Sequence, residues 1–163
     1  MQIGYSIITS AEQAKRASEF LIRDGNFGGM VSDKEEELIF SEPLASIERE
    51  HARFWIAINS NEEVIGVIGI NENDVATGGY YLDWFAVDQE YRRAGVGSEL
   101  LKLAEGFVIE MNGRYINIDT GDNEKYAKAR AFYEHNGYQQ VGHIPEFYHP
   151  KCGRIDYYKK FNS

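Results

Sequence analysis

The sequence predicts an α/β (α+β) chain, a mixed sheet covered on both faces by helices. Three observations predict it. Strand-like and helix-like segments alternate in the order β-α-α-β-β-β-α-β-α-β-β. The apolar run YYLDWFAV (80–87) is followed by a helix and then a strand, which is the right-handed crossover of a parallel pair. Finally, 163 residues with 43% hydrophobic content can build one core, because a chain of this size buries roughly 68–70% of the surface it would expose unfolded. No repeat or low-complexity linker divides the chain, so a single domain over residues 1–163 is expected.

Residues 3–9 alternate well enough for an edge strand. Ser10 reads as a helix N-cap, with Gln13 as its capping-box partner. Ala14, Ala17, Phe20 and Leu21 fall on one helical face, and Gly25 is expected to end that helix. The acidic run 33–37 suits a second helix N-terminus. Such a run reads as a solvated face; the sharper alternative is a lid that attracts a cationic substrate. Pro43 is expected to break this helix or to open a further piece over 44–51. Segments 54–59 and 64–71 are strands around the turn residues Ser60 and Asn61. After the strand 80–87 comes a helix over 96–111, burying Leu100, Leu101, Leu103, Ala104, Phe107 and Val108. A strand over 115–120 follows, then a helix over 128–135 closed by Asn136 and Gly137. Strands over 139–144 and 155–161 complete the chain.

The charge balance excludes some functions. Lys+Arg number 17 against 26 Asp+Glu, a formal net charge of −9. A general nucleic-acid binder needs a basic face for phosphates, so no nucleic-acid partner is expected. Cys152 is the only cysteine and cannot form an internal disulfide, which fits a reducing cytosol. The opening MQIGYSII lacks the basic and long apolar regions of a secretory signal. The longest apolar block, VIGVIGI, falls far short of the ~20 residues of a membrane helix. A cytoplasmic protein without a membrane partner is expected. His51, His135, His143 and His149 show no H-x-x-x-H spacing, and there is no C-x-x-C, so no metal is expected.

The informative stretch is YLDWFAVDQEYRRAGVGSELL (81–101). An apolar strand runs into a loop holding Arg92, Arg93, Gly95 and Gly97, and then into a helix. Two glycines one residue apart let the backbone pass close to a ligand. The first helical amides have no acceptor inside the helix, and the dipole there is positive, so such a place binds phosphate. The bland reading is a glycine-containing loop with surface arginines. No Walker A run is present. A dinucleotide fingerprint also fails, because Leu100 stands where its third glycine belongs and 88–94 intervene after the strand.

Arg92-Arg93-Ala94-Gly95-Val96-Gly97 reads R-x-x-G-x-G and resembles the acyl-CoA-binding motif of the GNAT superfamily of N-acetyltransferases, [QR]-x-x-G-x-[GA]. Further on, YAKARAFYEHNGYQQVG is similar to the family's A-x-x-x-Y-E-x-x-G-[FY] block, with Ala129, Tyr133 and Gly137 at its fixed positions. The closing IPEFYHPKCGRIDYYKKF resembles the C-terminal strands of many bacterial members. The strong part spans 80–161, and the N-terminal half fits by element order.

The resemblance implies a mostly antiparallel, twisted GNAT-like sheet and acetyl-CoA as co-substrate. Amides over 93–98, from Arg93, Ala94, Gly95, Val96, Gly97 and Ser98, would cradle the coenzyme A diphosphate, with Arg92 beside them. Phe85, Ala86 and Val87 would lie along the pantetheine, and the Val87 amide would face the developing oxyanion. Ala129 and Phe132 would flank the cofactor. Tyr133 matches the tyrosine next to the departing sulfur, either as acid or as a hydrogen-bond donor; its bland alternative is a core aromatic. Phe132 beside it is expected to pack inward. The family asparagine seven residues before that tyrosine is absent: Tyr126 stands there, with Asn123 three residues earlier. Homodimers are common in the family.

The attacking amine must be neutral, and an alkyl ammonium has a pKa near ~10. A strand carboxylate or a water chain from it serves such chemistry. Asp83 is the acid inside YYLDWFAV. By alternation it shares a face with Phe85 and Val87, unless a bulge reverses the assignment. Glu37 and Asp119 are weaker candidates. The sequence therefore points to an N-acetyltransferase acting in a ternary complex on a small-molecule or peptide amine, cationic by the acidic balance. A non-catalytic acyl-CoA-binding module on the same scaffold is the alternative, and an interaction domain with a chance motif is a third. The acceptor pocket is expected among the N-terminal helices and the stretch 143–152; Phe27, Phe147 and Tyr148 could line it, while core packing is the commoner fate of any one of them.

Overall fold

In the computed structural model, which describes residues 2–161, strands and α-helices follow the expected order. They are β1 (Gly4–Ile7), α1 (Ala11–Leu21), α2 (Asp33–Ser46), β2 (Ala52–Ile58), β3 (Val64–Glu72), β4 (Gly79–Val87), α3 (Val96–Glu110), β5 (Tyr115–Gly121), α4 (Ala127–His135), β6 (Gln139–His149) and β7 (Cys152–Lys160). Short 3-10 turns occupy Gln89–Ala94 and Glu124–Tyr126. The strands form a seven-stranded sheet in the order β1-β2-β3-β4-β5-β7-β6. β4 and β5 run parallel, over Gly79–Tyr81 against Tyr115–Asn117; β1/β2, β2/β3, β5/β7 and β6/β7 are antiparallel. No helix among the described residues is long and apolar enough to cross a membrane.

Contacts gather into two compact units, one of Met1–Asn71 with Asp83–Phe107 and one of Glu72–Leu82 with Val108–Ser163. In the first, β3 is buried on both sides, which explains VIGVIGI. Its two glycines are notches on opposite faces. Gly66 makes room for Leu100 and Val96 of α3, and Gly69 lets the Phe54 ring of β2 lie across the strand. The Phe54 side holds the core with α1, where Phe54, Ile56 and Val67 meet Ala14, Ala17, Phe20 and Leu21. The predicted capping box is present: Ser10 Oγ accepts from the Gln13 amide, and Gln13 Oε1 from the Ser10 amide. The helix ends at Leu21, short of Gly25, because Phe27 N bonds the Leu21 carbonyl and turns the chain away.

Pro43 corrects another expectation. α2 continues through it to Ser46. A proline here leaves the carbonyl four residues back without its helical donor. That carbonyl belongs to Ile39, which is fully buried, and Ser18 Oγ of α1 donates to it at 2.8 Å. The neighbouring helix supplies the missing bond. Ahead of Pro43, the acidic run is solvated, with Glu37 paired to Lys34 at the surface.

In the second unit, β5 lies against β7, with Asp119 opposite Asp156 and Thr120 opposite Ile155. β6 runs on to His149, beyond the expected end at 144. Pro145 does not stop it, because an edge strand tolerates a residue without an N–H.

Ser18→Ala leaves the Ile39 carbonyl buried and unbonded, so it should lower unfolding stability by roughly 1–3 kcal/mol. In a Pro43→Ala background the restored amide replaces the hydroxyl, and the same change should cost well under half as much. Urea denaturation of the four variants reads this out; equal costs in both backgrounds would show that Ser18 acts elsewhere.

Candidate functional site

The end of β4 is fastened before the phosphate-type loop begins. Asp88 N donates to the Ile65 carbonyl of β3 at 2.8 Å, and the Asp88 carboxylate caps the following turn through Glu90 N. Tyr91 is held from the side by Asn59 Nδ2 at 3.1 Å. Arg92 then reaches back: its Nε donates to the Val87 carbonyl at 3.1 Å and its Nη2 to the Gly25 carbonyl at 3.5 Å. The first arginine of the motif thus braces the loop. Arg93 is exposed and, among the described residues, has no hydrogen bond or ion pair. Gly95 takes φ +81°, the left-handed region that side chains resist, and redirects the chain into α3. Nothing lies within 4 Å of where its Cβ would be. Glu99 N is the first α3 amide to find a carbonyl, that of Gly95. The amides of Val96, Gly97 and Ser98 precede the first helical acceptor. Ala94, exposed, and Ser98, half-buried, flank this opening.

β4 does not alternate from end to end. Trp84 sits at φ +47°, unusual for a bulky residue and characteristic of a bulge. Trp84 and Ala86 both pack against the Phe54 core, with the Trp84 ring edge-on to Phe27 at 5.2 Å. Asp83 Oδ2 accepts from Asn71 Nδ2 at 3.1 Å. Asn71 follows Val67 and Gly69 by strand alternation, so it belongs to that same side. The adjacent residues Asp83 and Trp84 therefore share one face. This corrects the simple alternation reading: Phe85 and Val87 face the other way. Phe27 packs against this core, the commoner fate expected of such an aromatic.

In the second unit, α4 carries Tyr133. It is buried, within ring contact of Phe132, Tyr138 and Tyr157 at 5.8–6.3 Å. Burial pushes its phenol far above the usual tyrosine range, and the nearby charge of Asp119 adds to the rise. It stays protonated at neutral pH. Phe132, expected to pack inward, is only half-buried; the helix turns Tyr133 inward instead. The loop before α4 is braced by Arg130, whose Nη1 donates to the carbonyls of Gly121 and Asn123 at 2.7 and 2.8 Å. The Tyr126 ring lies against Gly121, where a Cβ would collide with it. Asn123 Nδ2 reaches the Lys151 carbonyl at 3.5 Å, while its Oδ1 is buried without a partner. Ala129 is half-buried one turn before Tyr133. Asp122 ties three segments: it accepts from Gly153 N at 2.7 Å and bonds His143 Nε2 at 2.8 Å. The His143 bond first, then the Gly153 amide, holds its carboxyl below the usual range.

A cavity of about 290 Å³ opens in this unit. Tyr115, Asn117 and Asp119 line it from β5, with Asn73, Tyr81 and Arg154 around them. Sequence reasoning named Asp119 only as a weak base and missed the rest. A signal was present: in YINIDT every second residue is polar or hydroxylated, and the intervening Ile116, Ile118 and Thr120 are buried. Tyr148 reaches this region, its hydroxyl donating to Asp119 Oδ2 at 2.6 Å. Phe147 stacks edge-on to Tyr148 and is half exposed. Among the described residues no group of three or more His, Cys, Asp or Glu is arranged to hold a metal.

The sequence profile of the acetyltransferase (GNAT) family matches residues 18–138. Among solved structures, a GNAT-family protein from Desulfovibrio desulfuricans superposes with a TM-score of 0.83 at 21% identity, covering 98% of this chain and 99% of its own. An acetyltransferase of the GNAT family from Staphylococcus aureus Mu50 gives 0.78 at 22% identity, with 98% and 99% covered. A Bacillus anthracis protein assigned as a streptothricin acetyltransferase, solved with acetyl coenzyme A, gives 0.65 at 26% identity over 73% of this chain and 68% of its own. No curated protein matches the chain. With one family's profile extending over well more than half of its length, this protein belongs to the acetyltransferase (GNAT) family.

Proposed function

We propose that the protein moves the acetyl group of acetyl-CoA onto a primary amine by direct attack in a ternary complex. The observation that carries this is the start of α3. Gly95, left-handed and open around its α-carbon, presents a helix whose first amides lack acceptors. A diphosphate supplies charge of the right sign there. Arg93 adds a free guanidinium, while Arg92 holds the loop in shape. The parallel ladder of β4 and β5 covers three of the nine residues of β4, and the later residues Phe85, Ala86 and Val87 are assigned to the pantetheine. The Val87 amide would stabilise the oxyanion that forms when the amine attacks.

In that step a C–N bond forms and the C–S bond breaks, releasing a thiolate. Tyr133 is assigned to the thiolate sulfur. Its raised pKa makes full proton transfer to a thiolate of pKa ~8.5 uphill, so its role is hydrogen-bond donation. Asp83, oriented by Asn71, is assigned to the amine proton, directly or through water. Asn123 is the better of the two candidates for the pantetheine amides, since its Oδ1 is unpartnered while the Tyr126 ring packs on Gly121.

Mixing acetyl-CoA with a panel of amines and following both free coenzyme A and N-acetyl product tests the reaction. Coenzyme A binding with no amine acetylated would leave a non-catalytic carrier module. Arg93→Ala should raise the Kd for coenzyme A by about two- to fivefold without changing Tm, as for an exposed charge. Arg92→Ala should lower Tm as well, because two carbonyls lose their donor; isothermal calorimetry and a melting curve separate the two. Tyr133→Phe should lower kcat by roughly 10–100-fold, the worth of a hydrogen bond to a charged atom, while the KM for acetyl-CoA is retained. The pKa lies above the usual range, so the phenol is protonated on both sides of neutrality. The kcat–pH profile from about pH 6 to pH 9 should then keep its shape in the variant. An unchanged kcat would remove Tyr133 from the sulfur.

A further inference from the structure

The loop that leads into α3 has few ties to the rest of its unit. Gln89 to Gly95 are exposed with one exception, Tyr91, which is half-buried. Among the described residues, Arg92 and Tyr91 supply the side-chain bonds from this loop to other elements. The Tyr91 hydroxyl accepts from Asn59 Nδ2 at 3.1 Å, across thirty-two positions of sequence. Gly95 and the open amides at the start of α3 follow four residues later.

Asn59 sits at the turn between β2 and β3 and is only 7% exposed. A buried amide is stable where its donors and its acceptor are all used. Its Oδ1 accepts from the amides of Asn61 and Glu63, both at 3.0 Å. Its Nδ2 gives one hydrogen to Glu63 Oε2 at 2.8 Å and the other to Tyr91. Three of these bonds build the turn; the fourth leaves it for the loop before α3. The turn is itself a fixed post. Asn59 N donates to the Glu63 carbonyl and Glu62 N to the Asn59 carbonyl, both at 3.0 Å. Arg16 of α1 donates to the Glu62 carbonyl from the other side. Ordering a loop during binding lowers affinity, and holding it beforehand removes that cost.

We infer that Asn59 is a positioning residue for the coenzyme A site: it holds Tyr91, and Tyr91 holds the loop whose open amides meet the diphosphate. The inference rests on the acetyl-CoA reading of the α3 start. It adds the β2–β3 turn to that site as a support that acts without contacting the cofactor. All the residues of this relay belong to the first unit.

Calorimetry with coenzyme A and with 3′-phospho-ADP, its diphosphate half, tests the relay. Tyr91→Phe keeps the ring and removes the hydroxyl. It should raise the Kd of both ligands by about three- to tenfold, the worth of one hydrogen bond, because the loss lies at the diphosphate. In an Asn59→Ala background the same change should matter by less than about twofold, since the bond is already gone. Asn61→Ala keeps the amide that bonds Asn59, so it should bind as the wild type does and controls for disturbance of the turn. In acetyl transfer, Tyr91→Phe should raise the KM for acetyl-CoA and keep kcat. Four results overturn the inference and leave the acetyl-CoA reading standing: wild-type affinity in Tyr91→Phe, a loss that 3′-phospho-ADP does not share, an equal loss in both backgrounds, or a fall in kcat at unchanged KM, the mark of a partly unfolded protein. A wild-type protein that binds neither ligand overturns both.

Discussion

A strand presents successive side chains to opposite sides, and one residue out of step reverses everything beyond it. In this protein that residue is Trp84, at φ +47°. A left-handed conformation costs a bulky residue roughly 1–2 kcal/mol. Packing of the half-buried Trp84 ring on Phe27 and the apolar cluster works against that cost. The consequence is a division of labour along nine residues. Trp84 and Ala86 complete the core, Asp83 is held by Asn71 on the same side, and Phe85 and Val87 are turned away from it. A regular strand could not place a carboxylate and the aromatic of the core on one face in adjacent positions.

The loop that follows shows how two arginines of identical appearance come to differ. Arg92 has carbonyls within reach and becomes part of the scaffold; Arg93 points to solvent and keeps its charge available. A net charge of −9 does not oppose an anion at this place, because distant charges are screened beyond ~8 Å at physiological salt while the helix amides act at contact. The acidic total and an anionic co-substrate are therefore compatible.

The same accounting of donors and acceptors explains the second unit. Arg154, Asn117 and Asp156 are joined by hydrogen bonds, and the charge of the neighbouring Asp119 also acts on the Arg154 guanidinium. Asp119 also raises the Tyr133 phenol, so the carboxylate of the cavity and the hydroxyl of α4 are electrostatically linked. Elsewhere, Ser18 and Pro43 show the reverse arrangement, in which a defect in one helix is repaired by its neighbour.

Element order, the capping box at Ser10, the crossover helix and the glycine-arginine segment were legible in the residues because each depends on neighbours a few positions away. So was the family, carried by two short motifs in order. The continuation of α2 through Pro43 was not legible, since its missing donor arrives from Ser18, twenty-one positions from Ile39. The side faced by Asp83 required the bulge, and the inward turn of Tyr133 rather than Phe132 required the rings of Tyr138 and Tyr157. Asp119 stood in plain view as a polar residue in an alternating strand. Its surroundings, Tyr148 of β6 and Arg154 and Asp156 of β7, are residues brought together from distant parts of the chain, which local pattern does not encode.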